Sequence, residues 1–169
     1  TGRLRYITIN PDGAKQLVPD PNAQNCVEVI GRNIGLRRLT TDIKISTNID
    51  IISFNAKEEM FYVEPDTFYT VARRGIELSE IQSVAKYDEI EKLQFYLKGR
   101  MHSLIPAGPS GACHGDPWSL INCCGDYQVA RAEVWDAIKG FEESLVYRGF
   151  ADTNVQRKAD FYGFKLQVV

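Results

Sequence analysis

A chain of 169 residues, 44% of them hydrophobic and 25% charged, suits one globular domain with a sizeable core and argues against disorder. The formal net charge is −2 and the basic residues form no long run, so the footprint of a nucleic-acid binder is missing from the sequence. No stretch approaches the roughly 20 apolar residues of a membrane span, and the amino end has no basic-then-apolar leader pattern, so the chain reads as soluble.

In chain order, residues 4–10, LRYITIN, alternate as a strand would, and PDG then breaks the pattern. Over residues 20–40 the apolar side chains Cys26, Val29, Ile30, Ile34 and Leu36 recur near helical spacing, with Asp20 as cap and Pro21 in the first turn. Gly31 and Gly35 weaken that helix. A strand predicted over Asp42–Ser46 runs into TNID, which places Asn48 and Asp50 at or just past its carboxyl end. Both are poor strand residues. In open α/β sheets ligands bind in the crevice outside the carboxyl ends of the strands, so the pair marks a candidate site.

Further on, AKEEMFYV (56–63) predicts a short helix, TFYTVAR (67–73) a strand, and 77–97 a polar, partly helical stretch. Residues 104–126 are rich in Gly, Pro and Ser and read as a long loop on the substrate side. DYQVA (126–130) predicts a short strand. RAEVWDAIKGF predicts a helix stopping at Gly140, FADTNVQRKADFYG a helix stopping at Gly163, and FKLQVV a last strand. Alternating strands and helices predict an α/β fold, with helices around a mostly parallel central sheet.

The four cysteines, Cys26, Cys113, Cys123 and Cys124, lack the two C-x-x-C pairs of a zinc site. They read as reduced, buried thiols, which favours a cytoplasmic location. His102 and His114 are too isolated to be assigned as ligands. Taken singly, Asp152 reads as a residue at a helix start, Asp126 as a turn residue, and Trp135, beside Val134 and Ile138, as core.

Two longer stretches carry more. GRNIGLRRLTTDIKISTNIDIIS (31–53) resembles the nucleotide-sugar half of the GT-A glycosyltransferases, in which an RN-x-G helix runs into a strand ending in a D-x-D-type metal motif. CGDYQVARAEVWDAIKGFEESLVYRGFADTNVQRKADFYGF (124–164) resembles their acceptor half, and EPDTFYTVAR between them is similar to the segment that follows the metal motif. The resemblance implies a single glycosyltransferase domain over 1–169, with a donor half at about 1–75 and an acceptor half at about 100–169. It implies a GT-A-like α/β fold that begins without the family's first, base-reading strand.

The resemblance also implies roles. Arg32, Asn33, Asn48 and Asp50 face the nucleotide-sugar donor, for which a UDP-sugar is the first expectation, and Asp50 is the ligand of a Mn²⁺ or Mg²⁺ ion. A hard divalent cation on oxygen ligands suits a departing diphosphate. Asn48 stands where the motif has its first acid, which leaves one carboxylate fewer. Gly125 and Asp126 face the sugars, Trp118 stacks on the acceptor, and Asp152 is the general base that takes the proton of an acceptor hydroxyl. Ala151 stands where many relatives have Glu, which leaves inverting and retaining chemistry both open. The expected acceptor is a glycan or glycoprotein. A second reading is a non-catalytic nucleotide-sugar or glycan-binding domain of the same fold, favoured by Asn48 and Ala151. A nucleotidyltransferase would want a Gly-rich phosphate loop near the first strand, and NPDGAK is too weak a match.

Overall fold

The computed structural model describes residues 6–10, 12–13, 16, 26–48, 51, 62–70, 74–75, 105–106, 125, 127–145 and 150–168. Among them are helix α1 (Cys26–Arg38), strands β1 (Ile43–Thr47), β2 (Thr67–Thr70), β3 (Arg74–Gly75), β4 (Ile105–Pro106) and β5 (Tyr127–Arg131), helices α2 (Ala132–Ala137) and α3 (Ala151–Phe161), and strand β6 (Lys165–Val168). The expected strands after Asp42, Pro65 and Gly125, and the three helices, are therefore present. Residues 6–10 are irregular, so the strand expected there does not form in the described part of LRYITIN. Just after it, the Asp12 N–H donates to Asn10 Oδ1 at 2.9 Å. Ile105–Pro106, expected in a loop, pairs antiparallel with Arg74–Gly75. Of the expected helix at 56–63 only Tyr62 and Val63 are described, and they are irregular; all of 77–97, most of the loop at 104–126, three of the cysteines and both histidines lie outside the described residues.

The main sheet has the order β1-β5-β2-β6. β5 runs antiparallel to both neighbours, and only β2 and β6 are parallel. This is an α/β fold with a mixed, open four-stranded sheet flanked by helices, not the mostly parallel sheet that the alternation of elements predicted. Alternation fixes which elements occur but carries no signal for strand direction. Here β5 enters between β1 and β2 against both of them.

The core lies on the side of the sheet that meets the helices. Phe68 and Ala130 from the strands, Val134, Trp135 and Ile138 from α2 and its end, and Val155 and Ala159 from α3 are all buried there. Trp135 is the centre: its ring meets Phe68 edge-on at 5.0 Å and Phe141 at 5.8 Å, and its indole N–H donates to the Lys44 carbonyl at 3.1 Å. A buried indole is tolerated because its one donor is satisfied. Lys44 is only 5% exposed and reaches out to Asp136 at 2.9 Å. Its stem adds apolar contact while its charge is paired.

Glycines end both α2 and α3 and set the direction in which the chain leaves them. Gly140 has φ +66° and donates to the Trp135 carbonyl at 3.0 Å, and Gly163 has φ +82° with Phe164 donating back to Ala159 at 3.0 Å. Both are left-handed helix ends that Gly takes without a Cβ penalty. Beyond Gly140 the chain turns through Phe141–Ser144, tied to α3 by Lys158 Nζ donating to the Gly140 carbonyl at 2.9 Å. Burial holds the Lys158 ammonium below the usual lysine range, with nearby Glu142 acting the other way. The side-chain and backbone hydrogen bonds of Ser144 hold Glu142 below the usual carboxylate range.

Candidate functional site

Strand register decides which residues meet. Thr47 at the end of β1 lies opposite Tyr127 at the start of β5, while Thr70 at the end of β2 lies opposite Gln128 and beside Val168 of β6. The carboxyl ends of β1, β2 and β6 and the entry to β5 therefore share one end of the sheet. Asn48 follows β1 and Gly125 precedes β5, so both sit at that end. The first turn of α3 joins them there, because Asp152 Oδ2 accepts from the Gly125 N–H at 3.0 Å. Strand pairing thus gathers residues from both halves of the chain.

On the β1 side the guanidinium of Arg32 is fixed from several directions. Nη1 donates to Ser46 Oγ at 2.7 Å, Nη2 to Asn48 Oδ1 and to Glu28 Oε1 at 2.8 Å, and Nε to the same Glu28 oxygen at 3.1 Å. The group also lies 5.5 Å from the centre of the Phe141 ring, a cation–π distance. Its side chain is 18% exposed. Five N–H groups on a guanidinium and four bonds leave one Nη1 hydrogen uncommitted among the described residues. A rigid, partly desolvated fork with a donor to spare is suited to an anionic oxygen.

Asn33 has another place. It is 1% exposed, its Nδ2 donates to the Phe141 carbonyl and to Glu143 Oε1, both at 2.8 Å, and its Oδ1 accepts from the Phe141 N–H at 2.8 Å. A Cβ on Gly140 would overlap that Oδ1. Asn33 locks the turn after α2 against α1, and through Phe141 it backs the Arg32 guanidinium.

On the α3 side, each oxygen of Asp152 faces a donor. Oδ1 accepts from the Thr153 N–H at 2.9 Å and Oδ2 from Gly125, and its main-chain oxygen faces Gln128 Nε2 at 3.5 Å. A carboxylate has about four acceptor positions, so each oxygen retains capacity for a further proton donor. Asp152 is in the first turn of an 11-residue helix, where the dipole favours a negative charge. Gly125 is buried, and a Cβ there would overlap the Cβ of Asp152. The glycine is required by close approach of the two elements. Just before α3, Phe150 takes φ +64° while 77% exposed, a conformation costing a non-glycine residue about 1–2 kcal/mol.

The structure thus brings Arg32, Asn48, Gly125 and Asp152 to one end of the sheet, while Asn33 is buried against the turn after α2. Asp50, Asp126 and Trp118 lie outside the described residues. Sequence reasoning passed over Ser46, Phe141 and Gln128. The first and last were accessible through alternation, which sets Ser46 with Lys44, and Gln128 with Ala130, on the core-facing side of their strands. Among the described residues no three His, Cys, Asp or Glu side chains cluster as metal ligands, and Asn48 gives its Oδ1 to a cation already present, Arg32. These residues on their own do not form a divalent-metal site. A groove of about 300 Å³ between α1 and α2 is lined by Asn33, Leu36, Arg37, Trp135, Asp136, Lys139 and Gly140, and neither Arg32 nor Asp152 lines it. No helix among the described residues is long and apolar enough to cross a membrane.

No protein-family model matches this chain, and comparison with curated proteins and with solved structures finds no match.

Proposed function

We propose that this chain is a glycosyltransferase of GT-A type that moves a sugar from a nucleotide-sugar donor, a UDP-sugar first, to a hydroxyl of a glycan or glycoprotein. The observation that carries the reading is the register that sets Asn48, with Arg32 bonded to it, at the same sheet end as the Gly125–Asp152 contact. A guanidinium and an oriented carboxylate at one edge are what transfer from a diphosphate needs: one group for the leaving charge, one for the incoming proton.

In this reading Arg32 binds the donor diphosphate through its uncommitted Nη1 hydrogen, and a phosphate oxygen displaces Glu28 from Nη2. Asp152 takes the proton from the acceptor hydroxyl as that oxygen bonds to the anomeric carbon. The carbon–oxygen bond to the diphosphate breaks, and the nucleoside diphosphate leaves with the electron pair. Gly125 keeps the carboxylate aimed. A Mn²⁺ or Mg²⁺ ion would be held through Asp50, and it would supply further charge neutralisation at the diphosphate. The roles of Arg32 and Asp152 do not depend on it.

The bond between Arg32 and Asn48 supports a second reading, a nucleotide-sugar-binding domain without transfer, since an arginine can neutralise a bound diphosphate without metal chemistry. Arg32→Ala is expected to weaken binding of the cognate nucleotide sugar by about 10- to 100-fold, the loss of one charge-assisted contact. Arg32→Lys should recover little of it, because an ammonium cannot reproduce the fork. Isothermal calorimetry checks both; unchanged affinity in Arg32→Ala would remove Arg32 from the donor site.

A further inference from the structure

Ser46, Gln128 and Thr70 form one cross-strand row over β1, β5 and β2, and each is nearly buried, at 6%, 0% and 3% exposure. Directly opposed residues point to the same face, so this is a polar layer inside the core-facing side of the sheet. It lies directly below the end where Asn48, Gly125 and Asp152 gather. Ser46 at one side holds Arg32, and Gln128 in the middle faces the Asp152 main chain.

Gln128 is the costly member. Its amide is wholly buried, its one bond to Asp152 is long at 3.5 Å, and Oε1 has no partner among the described residues. Burying an amide with an unmet acceptor opposes folding, and an unbranched apolar side chain of the same length would fit the surrounding core better. The side chain therefore serves something other than stability. Among the described residues its amide partner is the main chain of Asp152, at the turn whose carboxylate is clamped by Gly125 and Thr153.

We infer that Gln128 is a positioning residue, which sets the first turn of α3 against the sheet and so fixes the aim of the Asp152 carboxylate. The inference deepens the transferase reading, and rests on it for its catalytic consequence only. Removing the Gln128 donor frees the turn to shift, and the two N–H groups that hold the carboxylate, Gly125 and Thr153, lose protection with it.

The test uses Gln128→Met in the full chain, with Gln128→Glu beside it. Native-state amide exchange by NMR is expected to speed up about tenfold at Gly125 and Thr153 in Gln128→Met, while the melting temperature stays level or rises. In Gln128→Glu the side chain keeps a donor only when protonated, so protection of the same two amides should fall as pH rises, after correction for intrinsic exchange. With UDP-galactose and UDP-glucose as donors and lactose as acceptor, Gln128→Met should lower kcat about tenfold and leave donor affinity unchanged. Unchanged protection at Gly125 and Thr153 in Gln128→Met overturns the inference whatever the activity. So does a melting temperature that falls with protection lost evenly along the chain, which would make Gln128 a packing residue only. Faster exchange at those two amides in a protein that transfers no sugar upholds the positioning role and counts against the transferase reading instead.

Discussion

Replacing Asp152 by Asn is expected to lower sugar transfer by about 100- to 10,000-fold, the usual weight of a general base, with donor affinity unchanged. The substitution is nearly isosteric, so the first turn of α3 stays in place. An amide oxygen still accepts one of the two N–H groups now held by Oδ1 and Oδ2, from Thr153 and Gly125. The other meets an NH₂ group, at a cost of about 1 kcal/mol in stability. The variant should therefore fold, bind donor and fail in turnover. Steady-state rates together with calorimetry separate these effects; turnover within about threefold of the parent chain would end the base assignment.

The largest effect on stability is expected at Asn33. Its amide alone bridges the N–H and carbonyl of Phe141 and also reaches Glu143, inside a region where Asn33 is 1% exposed. Asn33→Leu leaves two buried backbone groups without those partners, each worth about 1–3 kcal/mol, so a loss of about 3 kcal/mol is expected. Gly140→Ala should also destabilise the chain, for two reasons: the residue has φ +66°, and an added Cβ overlaps Asn33 Oδ1. The steric part depends on Asn33. Gly140→Ala should therefore cost less in an Asn33→Ala background than in the parent, a coupling that a double-mutant cycle in urea reads directly. Additive effects, or an Asn33→Leu loss below about 0.5 kcal/mol, would show that this bridge does not hold the turn.

Asn33 also shows a structural place that its motif does not announce. Its place in the RN-x-G stretch suggested a donor-facing residue. Yet Val29, Asn33 and Leu36 are spaced at four and three residues and are the buried stripe of α1. Helical periodicity alone would have turned Asn33 inward and its neighbour Arg32 toward the edge. Gly140 and Gly163 were legible as helix stops because a left-handed residue after a helix strongly favours Gly. Trp135 was legible as core from its neighbours Val134 and Ile138.

What the sequence hid was long-range. Nothing local says that β5 inserts antiparallel between β1 and β2, and without that register the Gly125–Asp152 contact and the Asn48 end of β1 have no relation. The resemblance set Gly125 facing the sugars, and nothing local shows its contact with a helix residue 27 positions away. Arg32 could have been a solvated helix residue. The ring of Phe141, 109 positions on, lies 5.5 Å from its guanidinium, and only the folded turn brings it near.

In the proposed function, one end of this sheet binds a nucleotide sugar. Calorimetric titration of the chain with UDP-, GDP- and CMP-linked sugars, each with and without Mn²⁺, tests it most directly. Saturable binding of one donor class is expected, UDP-sugars first, with tightening by Mn²⁺ that is lost in Asp50→Ala. Absence of binding to all three classes under both conditions would contradict it.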